Sequence, residues 1–247
     1  MTERLRLDEA LVRAGLLPSR ARARDAVLRG TVRVGGRTVT KPATRVGLDE
    51  EIRLDDPAAR YVSRAALKLA AGLDAFGFEP AGRSVLDLGA STGGFTQLLL
   101  ERGASHVLAV DVGHDQMHES LSSDPRLRLV EGLNARDLKR SDLGGQTIDA
   151  VTADLSFISL RLALPPALEL AAPGSWGVFL VKPQFEAGRE ALGKGGILRD
   201  PDEGPRIAEA LAEWLDGRSG WAVKGIAPAP LAGGDGNQEY CLGACRG

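Results

Sequence analysis

The feature that most constrains the fold is a set of short apolar runs that alternate with helical periodicity along most of the chain. The apolar runs lie at residues 84–88, 106–110, 149–153 and 178–181, and the helical patterns at residues 95–102, 160–172 and 202–215. Short strands that alternate with helices are typical of a parallel sheet covered on both faces. Two later runs, 221–226 and 238–242, have no helix between them and are expected to pair antiparallel. The sequence therefore predicts an α/β fold with a mostly parallel sheet flanked by helices.

The beginning of the chain follows a different pattern. Ser19 is a favourable N-cap for a helix that would end at Gly30, and alternating apolar residues then lead into the Gly35-Gly36 turn. Two consecutive glycines suit the positive φ angles of a tight hairpin. The segment after Leu54 contains proline and has no periodicity, as in a linker. We therefore expect a small α+β domain at 1–54, a linker at 55–62 and the larger α/β domain at 63–247.

Charge is distributed unevenly between these parts. Residues 1–48 hold 11 Lys and Arg against 4 Asp and Glu, a net charge of +7, whereas residues 49–247 have a net charge of −9. A basic module joined to an acidic body is the electrostatic pattern of a nucleic-acid-binding domain. On charge alone, a solvated arginine-rich surface explains the excess equally well.

Composition indicates the compartment. The two cysteines, Cys241 and Cys245, exclude a disulfide framework and favour a reducing cytoplasm. No apolar run approaches the roughly 20 residues that span a bilayer, and the N-terminus lacks the apolar stretch of a signal peptide. We expect a soluble cytoplasmic protein with no membrane partner, and we favour a monomer.

A glycine-rich turn follows the first predicted strand of the α/β domain, in the stretch DLGASTGGF that begins at Asp87. Such a turn lets the backbone approach a ligand closely, and ligands of open α/β sheets bind at the carboxyl ends of the strands. The next strand ends at Asp111, where a carboxylate can accept hydrogen bonds from a ribose diol. The turn therefore predicts a site for a cofactor that contains a nucleoside.

The spacing of the glycines favours one such cofactor. A dinucleotide site needs G-x-G-x-x-G, whose second glycine makes room for the pyrophosphate, but Ala90 and Ser91 occupy that part of this turn. S-adenosylmethionine has no phosphate and carries an ammonium group, which suits the nearby Asp87. We therefore predict S-adenosylmethionine, and the alternatives are a nicotinamide or flavin cofactor, or a tight turn without a ligand.

Two lysines stand out because the chain otherwise prefers arginine, with 25 Arg against 6 Lys. Lys68 lies in an apolar helical stretch, and Lys182 directly follows an apolar strand. A desolvated lysine beside another cation can lose its proton near neutral pH, whereas an arginine cannot. Asp154 also follows a strand, so we expect it at the same edge of the sheet as Lys182, and Glu239 lies where the last strand begins. Either lysine alone is explained more simply by a surface position, so the prediction depends on the set of four.

The run RLDEALVRAGLLPSRARARDAVLRGTVRVGGRTV, which begins at Arg6, resembles the S4 RNA-binding domain. The resemblance covers roughly residues 4–54. It implies binding to structured RNA through the arginine-bearing helix and the hairpin. The residues expected to contact RNA are Arg6, Arg20, Arg24, Arg33 and Arg37.

The motifs of the larger domain resemble those of a family in which such a segment precedes a methyltransferase. LDLGASTGGFT, VDVGHDQ, NARDL, ADLSFISL, LVKPQFE and GNQEY are similar to motifs of the TlyA (haemolysin A) family of ribosomal RNA 2′-O-methyltransferases. The resemblance implies a Rossmann-like, S-adenosylmethionine-dependent domain that methylates a ribose, expected to be a cytidine ribose of 16S or 23S rRNA in ribosomal subunits. Ala65-Ala66 departs from the Gly-Gly pair expected in this family before the first of the two lysines.

The resemblance also implies residue roles. The order Lys68, Asp154, Lys182 and Glu239 resembles the catalytic tetrad of FtsJ-like enzymes. Lys182 would be the base toward the 2′-hydroxyl, and the other three would tune and orient it. The expected cofactor-binding residues are Asp87, Gly89, Ala90, Ser91, Gly93, Gly94, Phe95, Asp111, Asn134 and Asp154.

Two other functions stay open at this point. One is an RNA-binding ribosome-assembly factor with an inactive methyltransferase fold, and the other is a haemolysin-like protein. His114 and His118 are four residues apart, but no further ligand motif follows them, so no metal site is predicted. The glycine-rich stretch 188–199 is expected to be a surface loop, either plain or in contact with RNA.

Overall fold

A computed structural model of the chain describes residues 4–47, 49–216, 218 and 220–247. The chain divides into two compact units, Met1–Arg60 and Tyr61–Gly247. Residues 1–3 and Leu48, which belong to the predicted domain at 1–54, lie outside the described residues.

The predicted linker begins inside the first unit. Pro57–Arg60 form a 3-10 turn in which Ala58 is buried. The carboxylate of Asp56 accepts hydrogen bonds from Arg29 Nη2 at 2.6 Å and from the amide nitrogen of Ala58 at 2.9 Å. These contacts extend the first unit to Arg60, beyond the boundary suggested at residue 54.

The first unit combines short strands with two helices. In chain order, its elements are β1 (Arg4–Arg6), α1 (Leu7–Arg13), α2 (Arg20–Leu28), β2 (Val32–Val34), β3 (Arg37–Thr38), β4 (Arg45–Gly47) and β5 (Ile52–Leu54). Ser19 accepts a hydrogen bond from the amide nitrogen of Arg22 and caps α2, and Gly35 and Gly36 have positive φ angles in the turn between β2 and β3. Helix α2 and the hairpin are as predicted, whereas β1 and β4 are three-residue strands too short to show a pattern.

The second unit contains the α/β domain. In chain order, its elements are α3 (Ala65–Phe76), β6 (Ser84–Leu88), α4 (Gly94–Glu101), β7 (His106–Val110), α5 (Glu119–Ser122), β8 (Leu127–Val130), β9 (Ile148–Ala153), α6 (Leu160–Ala163), α7 (Pro165–Leu170), β10 (Ala171–Val181), α8 (Pro183–Glu186), α9 (Glu203–Asp216), β11 (Trp221–Pro228) and β12 (Tyr240–Arg246). Seven strands form one sheet in the order β11-β12-β10-β9-β6-β7-β8.

The directions of the strands show which edge of the sheet is expected to bind a ligand. Strands β6 to β10 run parallel, and β12 lies antiparallel between β10 and β11, which confirms the predicted antiparallel pair. From β6 the chain first moves out to β8 and then returns to β9 on the other side of β6. Ligands of such sheets bind at the carboxyl ends of the strands where the order reverses. Because β12 runs in the opposite direction, its beginning lies at that edge.

Both faces of the sheet are covered by hydrophobic core. Leu86 and Leu88 of β6 belong to one cluster, and Val85 belongs to the cluster on the other face. This alternation follows from the two-residue period of a strand. Ala66 is fully buried and α3 begins at Ala65, so the alanine pair in this chain is accommodated by a regular helix.

One predicted helix is wrong in extent. The pattern at 160–172 predicted a single helix, but the structure has α6, then α7, and residues 171–172 already belong to β10. Pro165 and Pro166 explain the break, because proline lacks an amide hydrogen and its ring clashes with the preceding turn.

The loop 188–199 is fixed by Asn237. Its side chain accepts a hydrogen bond from the amide nitrogen of Leu198 and donates one to the carbonyl oxygen of Gly196, each at 2.9 Å.

Within the described part of the chain, no helix combines the length and the apolar character that crossing a membrane requires.

Candidate active site

The strand ends at the reversal point border two adjoining cavities. The larger has a volume of about 840 Å³ and is lined by Gly89, Ser91, Val110, Asp111, Val112, Gln116, Leu133, Asn134, Ala135, Arg136, Asp154, Leu155, Ser156, Phe157, Ile158, Ser159, Leu162 and Phe185. The smaller, of about 160 Å³, shares Gly89, Ser91, Asp154 and Ser156 with it and is also bordered by Lys182. The glycine turn therefore faces the same space as two of the four predicted catalytic side chains.

Gly89 brings the end of β6 against the end of β9. Its φ angle is +79°, and a Cβ atom at this position would lie 2.4 Å from the carbonyl oxygen of Asp154. A residue with a side chain fits neither the backbone angle nor the contact. The turn after β6 therefore lies directly against the backbone of Asp154.

Asp111 fixes the same turn from the neighbouring strand. Its Oδ2 accepts a hydrogen bond from the amide nitrogen of Ser91 at 2.8 Å, and its Oδ1 accepts one from Gly113 at 2.7 Å. Ser91 has a φ of +45°, which is uncommon for a residue with a side chain, and the bond to Asp111 helps to hold it. Each carboxylate oxygen keeps a further lone pair, so Asp111 can still accept a hydroxyl group of a ligand.

Asp87 is placed differently from the prediction. Its side chain is fully buried, Oδ2 accepts from Thr96 Oγ1 at 2.7 Å, and Oδ1 accepts from Thr152 Oγ1 at 2.9 Å. Burial raises the pKa of Asp87 to about 6, although both hydroxyl bonds act to lower it. The carboxylate therefore lies inside the domain, where it ties α4 to β9, and Asp87 is not among the residues that line the two cavities.

The other predicted cofactor residues mostly border the cavities. Those that do are Ala90, Ser91, Gly94, Phe95 and Asn134. Gly93, with a φ of +93°, instead packs against Leu121, because a Cβ there would lie 2.4 Å from Leu121 Cδ1. The sequence therefore located the turn correctly but did not distinguish residues that face the cavity from residues that shape it.

Lys182 follows β10 and faces Asp154, which follows β9. Lys182 Nζ lies 2.6 Å from Asp154 Oδ1 and donates a hydrogen bond to Ser156 Oγ at 2.9 Å. The side chains of Lys182 and Asp154 are 12% and 18% exposed, so the pair is largely shielded from water yet reachable from the smaller cavity. Lys182 therefore borders the same cavity as the glycine turn.

Lys68 and Glu239 form a second ion pair. Lys68 Nζ lies 2.6 Å from Glu239 Oε2, and the two side chains are 7% and 3% exposed. Helix α3 can bring Lys68 so close to β12 because Gly72, one turn later, packs against Val178 and Cys241, where a Cβ would lie 2.8 Å from Val178 Cγ1. The predicted tetrad is therefore two ion pairs, one that borders the cavity and one buried in the domain.

Burial changes the pKa of the carboxyl group in this buried ion pair. Burial raises the pKa of Glu239 above its ordinary value, and the ammonium of Lys68 acts against this rise. Burial also raises the pKa of the adjacent Cys241 to about 12, so this cysteine is a thiol that fills the core. Loss of either charged partner would leave an uncompensated charge or acid in low-polarity surroundings.

Comparison with known proteins identifies the two units. The FtsJ-like methyltransferase family model matches residues 61–246, and the S4 domain model matches residues 5–52. The chain is 45% identical over 243 residues, 98% of its length and 90% of the relative's, to the 16S/23S rRNA (cytidine-2′-O)-methyltransferase TlyA of Mycobacterium tuberculosis. The chain belongs to the TlyA family of FtsJ-like methyltransferases.

Further relatives support this membership. The 23S rRNA (cytidine-2′-O)-methyltransferase TlyA of Campylobacter jejuni is 37% identical, over 78% of this chain and 74% of the relative. A solved structure of a hemolysin-type protein from Streptococcus thermophilus is 36% identical, covers 100% of this chain and 90% of its own, and superposes with a TM-score of 0.76. The TlyA-type order of an S4 domain followed by an FtsJ-like domain is thus shown over nearly the whole chain.

In the S4 domain, the five predicted RNA-contacting arginines fall into two groups. Arg6 binds both oxygens of the buried Asp8 at 3.0 Å, Arg20 lies 3.5 Å from Asp8 Oδ2, and Arg33 lies 3.7 Å from Asp55 Oδ2. Hydrogen bonding to Arg6 holds the pKa of Asp8 below its ordinary value. Among the described residues, by contrast, Arg24 and Arg37 have no carboxylate at ion-pair distance, and both are exposed.

The structure adds residues of the TlyA-type site that the sequence did not assign. Phe157 is 90% exposed, has a φ of +62° and lies with its ring 5.0 Å from that of Phe185 at the larger cavity. Ser156, next to it, contacts Lys182. The motif ADLSFISL contains both residues, but a positive φ at a phenylalanine cannot be read from sequence.

The two histidines considered as metal ligands do not share a helix face. His118 is the N-cap of α5 and accepts a hydrogen bond from the amide nitrogen of Ser120, whereas the His114 ring lies over Gly132. In the part of the chain that the structure describes, no three His, Cys, Asp or Glu side chains are grouped to hold a metal ion.

Proposed function

We propose that this protein transfers a methyl group from S-adenosylmethionine to the ribose 2′-hydroxyl of a cytidine in ribosomal RNA. Membership of the TlyA family supports this reaction, because relatives in it are named rRNA (cytidine-2′-O)-methyltransferases. The M. tuberculosis relative is named for 16S and 23S rRNA and the C. jejuni relative for 23S rRNA alone. Both RNAs are therefore candidate substrates here.

The observation that carries the proposal is the position of the Lys182 amine. It borders the cavity formed by the glycine turn, is paired with Asp154 at 2.6 Å and is 12% exposed. A ribose hydroxyl is a poor nucleophile, so its proton must leave as its oxygen attacks the methyl carbon. An amine at this place can accept that proton.

The residues around the larger cavity fit S-adenosylmethionine. Asp111 keeps lone pairs for a ribose diol, and the backbone of the turn at Gly89 and Ser91 is open to the cavity. Val112 is 66% exposed beside Asp111 and offers an apolar surface to an adenine ring. When bound, this cofactor would supply the methyl group, and its sulfur would keep the electron pair of the bond that breaks.

The two ion pairs then have different roles in the reaction. Lys182 Nζ takes the 2′-hydroxyl proton, and Asp154 Oδ1 stabilises the ammonium that forms and holds it in place. Lys68 and Glu239 lie behind them as a buried pair that fixes α3 against β12. Exclusion of water around these groups strengthens their interaction with the developing charges.

The test is single-turnover methyl transfer to 16S and 23S rRNA in ribosomal subunits by the wild type and by Lys182→Arg. Arginine keeps the positive charge but cannot act as a base, so we expect the rate to fall at least about 100-fold. Lys224→Arg is the matched control, because Lys224 is exposed on β11. S-adenosylmethionine binding should be retained in both variants.

A wild-type protein that binds ribosomal RNA but transfers no methyl group would overturn the proposal. That outcome would favour the alternative of an assembly factor with an inactive methyltransferase fold. A Lys182→Arg variant as fast as the wild type would keep the reaction but remove Lys182 as the base.

A further inference from the structure

We propose that Ser156 is a positioning residue for Lys182, an inference that rests on the proposed role of Lys182 as the base. Lys182 Nζ donates a hydrogen bond to Ser156 Oγ at 2.9 Å and lies 2.6 Å from Asp154 Oδ1. Ser156 borders both cavities and has an exposed side chain. The hydroxyl therefore lies where the amine meets the substrate.

The two contacts together fix the direction of the amine. A lysine nitrogen has four tetrahedral directions, of which one is the bond to Cε. The hydrogen bond to Ser156 fixes one N–H, and the ion pair with Asp154 holds the amine on one side, so fewer directions are left for the lone pair of the neutral amine. The ion pair with Asp154 alone would leave the nitrogen free to rotate about the Cε–Nζ bond, and the lone pair would then sample directions away from the substrate.

The backbone around Ser156 is built to keep its hydroxyl in this place. The next residue, Phe157, has a φ of +62°, a conformation that is strained for a bulky side chain and persists only where its surroundings hold it. Glu186 holds the segment that follows, because its carboxylate accepts hydrogen bonds from Ser159 Oγ at 2.6 Å and from the amide nitrogen of Leu160 at 2.7 Å. Glu186 also lies four residues after Lys182. The short segment 182–186 therefore contains both the amine that binds Ser156 and the carboxylate that binds the chain just after Ser156.

A hydroxyl suits this position better than a second carboxylate. Its oxygen accepts from the amine before and after proton transfer, and it carries no charge that would favour the ammonium. Asp154 supplies the single negative charge that the pair needs. Ser156 thus contributes direction, and Asp154 contributes charge.

The experiment measures single-turnover methyl transfer to ribosomal subunits across pH for Ser156→Ala, Ser156→Thr and Ser156→Asp. Loss of orientation should slow Ser156→Ala by about 10- to 100-fold at saturating RNA, with the affinities for RNA and S-adenosylmethionine and the shape of the pH profile unchanged. Ser156→Thr keeps the hydroxyl and should recover most of the rate. Ser156→Asp should move the rise of the rate by about one pH unit or more toward higher pH, because an added carboxylate favours the ammonium.

Ser122→Ala, which removes an exposed hydroxyl of α5, is the control for serine loss and should match the wild type. A Ser156→Ala variant with the wild-type rate, or equal losses in the alanine and threonine variants, would overturn the positioning role. If the wild type itself transferred no methyl group, the proposed function would fail instead, so the two failures are distinct.

Discussion

Lys68 Nζ and Glu239 Oε2 lie 2.6 Å apart inside the domain, although 171 residues separate the two in the chain. Neither side chain is exposed by more than 7%. The pair therefore joins α3, the helix that precedes the sheet, to the residue directly before β12. The packing of α3 thus places the charges of Lys68 and Glu239 where they act on the Lys182–Asp154 pair.

Removing one partner of this pair should destabilise the protein more than removing both. Glu239→Gln leaves the Lys68 charge buried without compensation, and we expect a loss of about 3 to 5 kcal/mol in the free energy of unfolding. The double variant Lys68→Met, Glu239→Gln should be more stable than Glu239→Gln alone, because the buried charge is gone. Urea unfolding of the wild type, the two single variants and the double variant measures these differences in the free energy of unfolding. Additive effects of the two substitutions would show that the pair is not formed in solution.

Asp87 should impose a pH dependence on stability. Its pKa is raised by burial from an ordinary value of 3.8 to about 6, so the folded state binds more protons than the unfolded state between these values. Its contribution is therefore most favourable below about pH 4 and declines as the pH rises through about 6. The stability of the wild type relative to Asp87→Asn should fall over this range by at most about 3 kcal/mol. Denaturant unfolding of both proteins at pH 4, 5, 6 and 7 provides the measurement, and a constant difference would contradict it.

Asp111→Ala should weaken binding of S-adenosylmethionine by about 10- to 100-fold, since a charged hydrogen-bond acceptor is lost. The substitution also releases the amide nitrogen of Ser91, which Asp111 binds at 2.8 Å. Calorimetric titration measures the effect, with Glu119→Ala, on the exposed α5, as a control that should bind normally. Tighter binding of NAD than of S-adenosylmethionine by the wild type would contradict the cofactor assignment itself.

Arginines of the S4 domain should differ in what they contribute. Arg24→Ala and Arg37→Ala should each weaken RNA binding and reduce its salt dependence by about one unit of slope, because each loses a phosphate contact. Arg6→Ala should instead lower stability, since the buried Asp8 loses the guanidinium that binds both its oxygens. Binding to ribosomal RNA at several salt concentrations, together with thermal unfolding, separates the two effects. Equal losses of RNA affinity for all three variants would contradict the division.

The fold was predictable where the local pattern agrees with the final packing. Residues 107–110 of β7 and 178–181 of β10 are continuous apolar runs because both faces of the sheet are covered, and this property is visible in the sequence. The helix predicted at 160–172 failed because the apolar period continues through Pro165 and Pro166, where the backbone cannot continue as a helix. Local chemistry overrode the pattern there.

The site was predictable as a location but not as a set of contacts. Asp87 is adjacent to the glycine turn, yet its direction depends on the alternation of β6, which turns it toward Thr96 of α4. Likewise, the sequence did not show that the close packing of α3 at Gly72 pairs Glu239 directly with Lys68. These side-chain contacts join segments that are far apart in the chain, so the spacing of neighbouring residues cannot predict them.

The contact between Gly89 and the carbonyl oxygen of Asp154 links the two halves of the reaction thermodynamically. A Cβ at position 89 would lie 2.4 Å from that oxygen, so a shift of the glycine turn displaces the residue that holds Lys182. A ligand that moved the turn would therefore also move Asp154 and the amine paired with it. If binding of the cofactor changed the affinity for RNA in this way, reciprocity would require RNA to change the affinity for the cofactor by the same factor.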